Sequence, residues 1–342
     1  MTWEELDWTA LDRLRERFLE GPVADGPYWE SDDALASYDL TYGERIGWKW
    51  DQVLRELRLR GWRPQSRHVL DWGCGSGIAA RRVIGFYGTG QFDSLTVWDH
   101  SPLAAGYAAR RAAAAFPSLR VLQAVPGMQE ATESVGLLVV SHVLNELSDA
   151  ARTALAGLAV RADEVLWVEP GSHAGSRQLG QEREWLRAAG FQVVAPCTHH
   201  GACPMLTEEN ARHWCHFFAP PPPAIFADSN WVRFGQRAGI DLRSLPYSFL
   251  ALSRVGVPLA DPPAAPAAPL ARVIGRPEHF KPYARLLSCD ASGLTALELP
   301  KRADPALFKD LQRRKEPLVY RWQRHGNTIT GGESIPGLPT SA

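Results

Sequence analysis

The sequence has no excess of charge of either sign. Lys and Arg number 37 and Asp and Glu 38, a formal net charge of -1 over 342 residues. No overall field draws such a chain to nucleic acid, so any basic surface has to be local. No apolar run reaches the length of a bilayer span, and no membrane partner is expected. The opening Met1-Thr2-Trp3-Glu4-Glu5-Leu6-Asp7 is acidic and aromatic, unlike a secretory signal or an arginine-rich transit peptide. A cytoplasmic, reducing setting is expected, which disfavours disulfides. No internal repeat is visible, and we expect a monomer. Cysteine is scarce, five in all, and no two are paired as Cys-x-x-Cys. That excludes the spacing of a zinc ribbon.

The few cysteines are unevenly placed. Cys197, Cys203 and Cys215 fall in one polar stretch from Pro196 to Phe217, Cys289 lies far downstream, and Cys74 belongs to a different motif. Four thiols set aside in this way are the number that closes a structural zinc site or holds an iron–sulfur cluster. Plain burial suits a lone cysteine in an apolar strand, but Cys197 and Cys203 flank a His-His-Gly turn. His199, His200, His213 and His216 could each replace a thiolate, so spacing alone leaves the metal open.

Residues 1–64 read as helical, with Leu6, Leu11, Leu14 and Phe18 on one stripe and a second helix from Ile46 to Leu59. Tyr38, Tyr42, Trp48 and Trp50 are either core or cover for a pocket mouth. A strand then enters a glycine-rich turn at Leu70-Asp71-Trp72-Gly73-Cys74-Gly75-Ser76-Gly77, and a helix follows. Glycines at 73, 75 and 77 permit a tight turn and a close approach of ligand to backbone. The spacing is neither the Gly-x-Gly-x-x-Gly of nicotinamide dinucleotide folds nor a phosphate loop, which needs Gly-Lys-Ser/Thr. Asp71 suits a ligand amino group. Asp99, ending the strand Leu95–Trp98, suits the two vicinal hydroxyls of a ribose. Together these features resemble the first motif of class I S-adenosylmethionine-dependent methyltransferases.

Strands and helices alternate onward through Val135–Ser141, Ala150–Ala162, Val165–Gly171 and Phe191–Ala195. The expected fold class is therefore α/β, a Rossmann-like doubly wound sheet over residues 65–196. Ligands of such sheets sit at the carboxyl ends of the strands, which would gather Gly73–Gly77, Asp99, Ser141–Asn145, Glu169–Gly171 and the first of the cysteines at one edge. His142, Asn145 and Glu146 are the candidate catalytic side chains, with helix-start capping as the plainer reading. The Asp/Asn-Pro-Pro-Tyr/Phe of base-amino methyltransferases is missing, and no cysteine stands where a cytosine-carbon methyltransferase keeps its nucleophile. Residues 197–260 form a cysteine-rich metal segment. Residues 261–330 form a small β subdomain with short strands at Ala271–Ile274, Tyr283–Cys289, Thr295–Leu299 and Leu318–Gln323. The tail 331–342 is expected to be disordered. The subdomain is locally basic, with Lys301, Arg302, Arg313, Arg314, Lys315, Arg321 and Arg324 interleaved with Tyr320 and Trp322, the composition of an RNA-contacting surface.

Three further groups of residues extend the likeness: Ser141-His142-Val143-Leu144-Asn145-Glu146-Leu147, Val168-Glu169-Pro170-Gly171, and Ala195-Pro196-Cys197 through Trp214-Cys215-His216-Phe217, with Tyr247–Leu250 and the Cys289 region. With the glycine motif they make the chain resemble the methyltransferase-like family of mitochondrial small-ribosomal-subunit assembly proteins and their bacterial relatives. Thr198 stands where that family usually has a proline. The resemblance implies a 4Fe–4S cluster on Cys197, Cys203, Cys215 and Cys289, with zinc as the alternative metal. It implies association with the small ribosomal subunit and its RNA, and S-adenosylmethionine bound by Asp71, Gly73, Gly75, Gly77, Asp99 and Ser141. An active rRNA methyltransferase is one outcome and a catalytically silent factor another. A small-molecule or other RNA methyltransferase with structural zinc is the alternative.

Overall fold

The structure is a computed structural model, and it describes residues 1–20, 29–124, 135–255, 269–313 and 318–334. The chain divides into two units that interleave along the sequence: Met1–Leu54, Arg63–Glu169 and Ala219–Leu245 form one, and Arg55–Trp62, Pro170–Phe218 and Pro246–Ala342 the other. The sequential segments expected from composition are thus replaced by two units that each recruit distant stretches. The supposed cysteine-rich segment is shared out, its cysteines in the second unit and the helix Ser229–Ala238 in the first.

The first unit opens with α1 (Trp8–Glu20), α2 (Asp32–Tyr38), a π-helical turn at Asp39–Gly43 and the start of α3 (Glu44–Leu59). Leu14, Trp29 and Leu35 from this region bury against Ala104 and Tyr107. Strands β1 (His68–Trp72), β2 (Ser94–Trp98), β3 (Arg120–Gln123), β4 (Val135–Ser141) and β5 (Ala162–Pro170) form a parallel sheet in the order β3-β2-β1-β4-β5. The crossovers are α4 (Ile78–Tyr87), α5 (Pro102–Ala115) and α6 (Asp149–Val160). β4 is one continuous apolar run buried on both faces, as a central parallel strand requires. Ser101 and Ser148 accept from the backbone N–H groups of Ala104 and Ala151, so α5 and α6 start at defined points just beyond a strand end.

The second unit contains α7 (His173–Ala188), β6 (Gln192–Ala195) and all but one end residue each of β7 (Phe217–Ala219) and β8 (Leu245–Ser253), with β6 antiparallel to β8. The first unit's α8 (Ser229–Ala238) lies between β7 and β8 in sequence. The second unit ends in a closed barrel of β9 (Leu270–His279), β10 (Tyr283–Asp290), β11 (Gly293–Pro300), β12 (Val319–His325) and β13 (Thr328–Ser334). A helix, α9 (Pro305–Arg313), joins the third and fourth of these strands. All pairings are antiparallel except β11 with β13. Five strands in the order 1-2-3-5-4, closed on themselves with a helix after the third, are the arrangement of an OB-fold. The bend that closure needs sits at Gly275, where φ is +68° and the β9–β10 register shifts.

Two expectations for this region are corrected. Tyr320 and Trp322 are not on a surface: they are 0% and 5% exposed and stack on each other at 4.3 Å inside the barrel. Residues two apart on a strand share a face, and here that face is the core. Gly331–Ser334 belong to β13 rather than to a tail. Gly332 has no side chain because the Trp322 ring fills its place, with Cε3 at 2.7 Å from where a Cβ would be. Arg314 and Lys315, the proline-rich stretch before Leu270 and the end of the chain lie outside the described residues.

Two candidate sites

A cavity of 440 Å³ opens at the carboxyl edge of the parallel sheet. Its floor is the turn after β1. Gly73, Gly75 and Gly77 have φ of +69°, +50° and +77°, a region that costs other L-residues roughly 1–2 kcal/mol. A Cβ on Gly73 or Gly77 would also strike Val143 or Ala108 at 2.7 and 2.8 Å. Asp99 locks the turn, one carboxylate oxygen accepting from Gly75 N–H and the other from Ser101 N–H, both at 2.9 Å. Trp72 and Trp98 stack at 4.7 Å along one wall, and Trp29 and Tyr38 line another.

Asp71 is placed differently. It is fully buried and does not line the cavity. One of its oxygens accepts from Ala80 N–H at the start of α4, and the other has no partner. Burial, with Asp99 adding repulsion, pushes its pKa up to about 7. Its place is therefore beneath the turn.

At the end of β4, Ser141, His142 and Glu146 line the cavity, while Asn145 is exposed and stands off its wall. His142 is the non-glycine residue with positive φ among the described residues, at +58°. Such strain persists only where surrounding contacts over-determine it, and they do here. His142 N–H donates to Val168 at 2.8 Å. The imidazole lies between Lys49 Nζ, 3.0 Å from Nε2, and Ser141 Oγ, 3.1 Å from Nδ1. Trp50 Nε1–H donates to that hydroxyl at 2.9 Å. Burial first, and then the Lys49 charge, hold His142 well below the usual histidine range. Burial also lowers Lys49 to about 7. Glu169 accepts from the N–H groups of Val143 and Leu144 and from Trp167 Nε1, and burial raises it to about 7. Lys49, Trp50 and Glu169 complete this edge; the sequence hinted at Glu169 by its place at a strand end and at Trp50 as core or cover for a pocket, and gave no sign of Lys49.

The second site lies in the other unit. Cys197, Cys203, Cys215 and Cys289 line one narrow cavity with His199, Met205 and Arg272. Two come from the loop after β6, one from just before β7 and one from β10, so the cavity ties the barrel to the loop. All four are free thiols. Among the described residues no three His, Cys, Asp or Glu side chains gather closely enough to hold a single metal ion. Burial and mutual repulsion with the other cysteines raise Cys203, Cys215 and Cys289 above the ordinary thiol range. Cationic and polar groups surround them. Arg272, buried beside the cavity, makes a two-pronged pair with the buried carboxylate of Glu56. Arg60 joins that carboxylate and donates to the carbonyls of Val194, Pro196 and Cys197. Arg183, also buried, donates to the carbonyls of His199 and Gly201 and pairs with Glu184, which accepts from Cys203 N–H at 3.2 Å. Arg183 Nε, Arg272 Nε and His199 Nδ1 are buried with no hydrogen-bond partner. Unpartnered buried guanidinium N–H groups next to thiols are able to donate to an anionic group held there.

The sequence pattern of the family described as "Mitochondrial small ribosomal subunit Rsm22" matches residues 51–289, which include every residue of the glycine turn and all four of these cysteines. The chain belongs to the Rsm22 family. A search of curated proteins found no match. Solved structures similar to this Rsm22-family chain include magnesium protoporphyrin IX methyltransferase from Synechocystis PCC 6803, with 15% identity, TM-score 0.39, and coverage of 72% of this chain and 95% of that one. Another is the ribosomal protein L11 methylase from Lactobacillus delbrueckii subsp. bulgaricus, with 19% identity, TM-score 0.30, and coverage of 41% and 68%. No helix among the described residues is long and apolar enough to cross a membrane.

Proposed function

We propose that this chain is a factor of the small ribosomal subunit, acting in its assembly or in translation. In this reading it binds S-adenosylmethionine in the cavity of the first unit and carries a 4Fe–4S cluster on Cys197, Cys203, Cys215 and Cys289. Family membership supports the ribosomal partner. The observation that carries the cluster is the convergence of four thiols from three stretches of chain on one cavity, lined also by Arg272 and His199, each with a buried nitrogen that has no hydrogen-bond partner. A tetrahedral zinc draws four donors to within about 2.3 Å of one point. These four thiols line one cavity with Arg272 and His199, and iron, sulfide and zinc analysis separates the two metals. When bound, such a cluster cross-links distant segments, and Arg183 and Arg272 would offset its negative charge.

In the first cavity, Gly73–Gly77 would let the ligand approach the backbone, Trp72 and Trp98 offer aromatic faces, and Asp99 offers a carboxylate edge. S-adenosylmethionine, when bound, supplies a methyl group on a sulfonium. Whether that methyl moves depends on this chain's own residues at the end of β4. The neutral imidazole of His142 and the ammonium of Lys49, poised near neutrality, favour a second reading with proton transfer at His142 Nε2, and Glu146 stands on the same wall. Asn145, exposed, would serve at most a substrate approaching from outside.

The test is an ultraviolet–visible spectrum with iron, sulfide and zinc analysis on anaerobically purified protein, together with calorimetric titration of S-adenosylmethionine. Broad brown absorption with matching iron and sulfide supports the reading. Colourless protein with one zinc would overturn the cluster and favour a methyltransferase with a structural metal.

A further inference from the structure

The barrel carries aromatic rings outside as well as inside. At the β9–β10 turn Phe280 is 42% exposed, and its ring stacks on Tyr283 with centroids 4.8 Å apart and planes 27° from parallel. Phe280 N–H donates to the Tyr283 carbonyl, so the pair is fixed by the turn itself. The Arg285 guanidinium lies 5.8 Å from both ring centroids and donates to Tyr283 Oη and Glu298. Tyr283 and Arg285 lie on β10, two apart and facing out, opposite Pro300 and Glu298 on β11. Two other loops close on the same patch. Lys301 N–H donates to the Pro282 carbonyl, and Glu298 N–H to the Asn327 carbonyl of the β12–β13 turn. The exposed charges on these strands and loops are mainly cationic, Lys281, Arg285, Lys301, Arg302 and Arg324, with Glu278 exposed and Glu298 half-buried.

We propose that this face, centred on Phe280, Tyr283 and Arg285, binds single-stranded RNA. Phe280 is exposed and Tyr283, on which it stacks, is half-buried, so the pair presents one open ring face outside the core, and bases stack on such rings wherever they are unpaired. A guanidinium beside the rings adds a planar cation for a base or a phosphate. The surplus of cations selects a polyanion over a neutral oligosaccharide, the other ligand that barrels of this arrangement take. Duplex RNA keeps its bases stacked inside and offers these rings nothing. The face is the one formed by the second and third strands of the closed barrel and their flanking loops, which in this arrangement is the face that takes oligonucleotides. The inference rests on the ribosomal reading only for the source of the strand, and it moves the RNA contact from β12 to β10.

The experiment is fluorescence anisotropy of the full chain with a labelled oligouridine of about twelve nucleotides, and with a duplex of matched length. The wild type is compared with Phe280→Ala/Tyr283→Ala, with Arg285→Ala and with Tyr283→Phe. The double variant is expected to weaken single-strand binding about tenfold or more, Arg285→Ala less, and Tyr283→Phe hardly at all. Thermal melting of each variant checks the fold, and Tyr283→Phe keeps the test meaningful if the double variant melts early. Equal affinity of wild type and double variant for the single strand would overturn the assignment while leaving the ribosomal reading in place. Tighter binding of the duplex, or no binding of the oligouridine by the wild type, would also overturn it. Failure of the wild type to bind isolated small-subunit RNA as well would count against the ribosomal reading.

Discussion

The two candidate sites are made of different material. The cavity in the first unit is shaped by backbone: three glycines at positive φ, a carboxylate that fixes their turn, and a strand end held in register by Glu169. The cysteine cavity is shaped by side chains from three separate stretches, kept in place by buried charges. A backbone site tolerates the loss of any one polar contact and fails when a glycine gains a Cβ. A side-chain site tolerates change in its connecting loops and fails when one donor or one buried counter-charge is removed.

The largest expected effect is therefore at a thiol. Cys289→Ser removes the ligand contributed by the barrel. It should abolish any visible absorption and lower the melting temperature of the second unit, because ligand binding there is folding energy. Unchanged absorption in the variant would remove Cys289 from the donor set. Next in size is Glu56→Ala, which leaves Arg272 buried without its carboxylate. Breaking one side of a buried pair costs about 3–5 kcal/mol, to be read by denaturant unfolding. The change adds no group to the first unit's cavity, so ligand affinity there should hold. If both properties fell together, the two sites would not fail separately. Gly77→Ala is the converse test. The positive φ and the 2.8 Å approach to Ala108 should cost about 1–3 kcal/mol and abolish binding of S-adenosylmethionine while leaving the thiols untouched.

That contrast also explains what could be read in advance. The glycine turn, the strand leading into it and the buried run of β4 are local patterns, and the structure places them where the sequence put them. The four cysteines were legible as a surplus of thiols in a polar stretch, although nothing local gave their distances or their arginine partners. What stayed hidden depends on pairing across the chain. Tyr320 and Trp322 alternate with Arg321 and Gln323, a pattern that fixes a strand without saying which face is inside. Gly331 and Gly332 look like a flexible end until Trp322 is known to lie against them. Lys49 sits on a helix between Trp48 and Trp50, and only the fold brings it to His142. The first half of α7, with Gly175, Ser176 and Gly180, has weak helix propensity. Its burial of Ser176, Leu179 and Arg183 is what makes it a helix.

The smallest effect is in pH dependence, and it sharpens the comparison because it belongs to the backbone-built site. Lys49 has a folded pKa near 7 against an ordinary 10.5. Its contribution to stability is present above 10.5 and is lost as pH falls toward 7, at no more than about 1.4 kcal/mol per pH unit. Glu169 runs the other way. Raised from 4.5 to about 7, its contribution is present below 4.5 and is lost as pH rises through 7. Together the two place the weakest point of this edge near neutrality. Lys49→Met removes the alkaline limb and keeps the acidic one. Relative to wild type it should gain stability as pH is lowered from 10.5 to 7, with the difference constant below that, when unfolding is followed in urea across the range. Parallel profiles would mean that Lys49 keeps its ordinary pKa in the folded chain. The neutral pairing with His142 would then be lost as an explanation for the strained backbone at that residue.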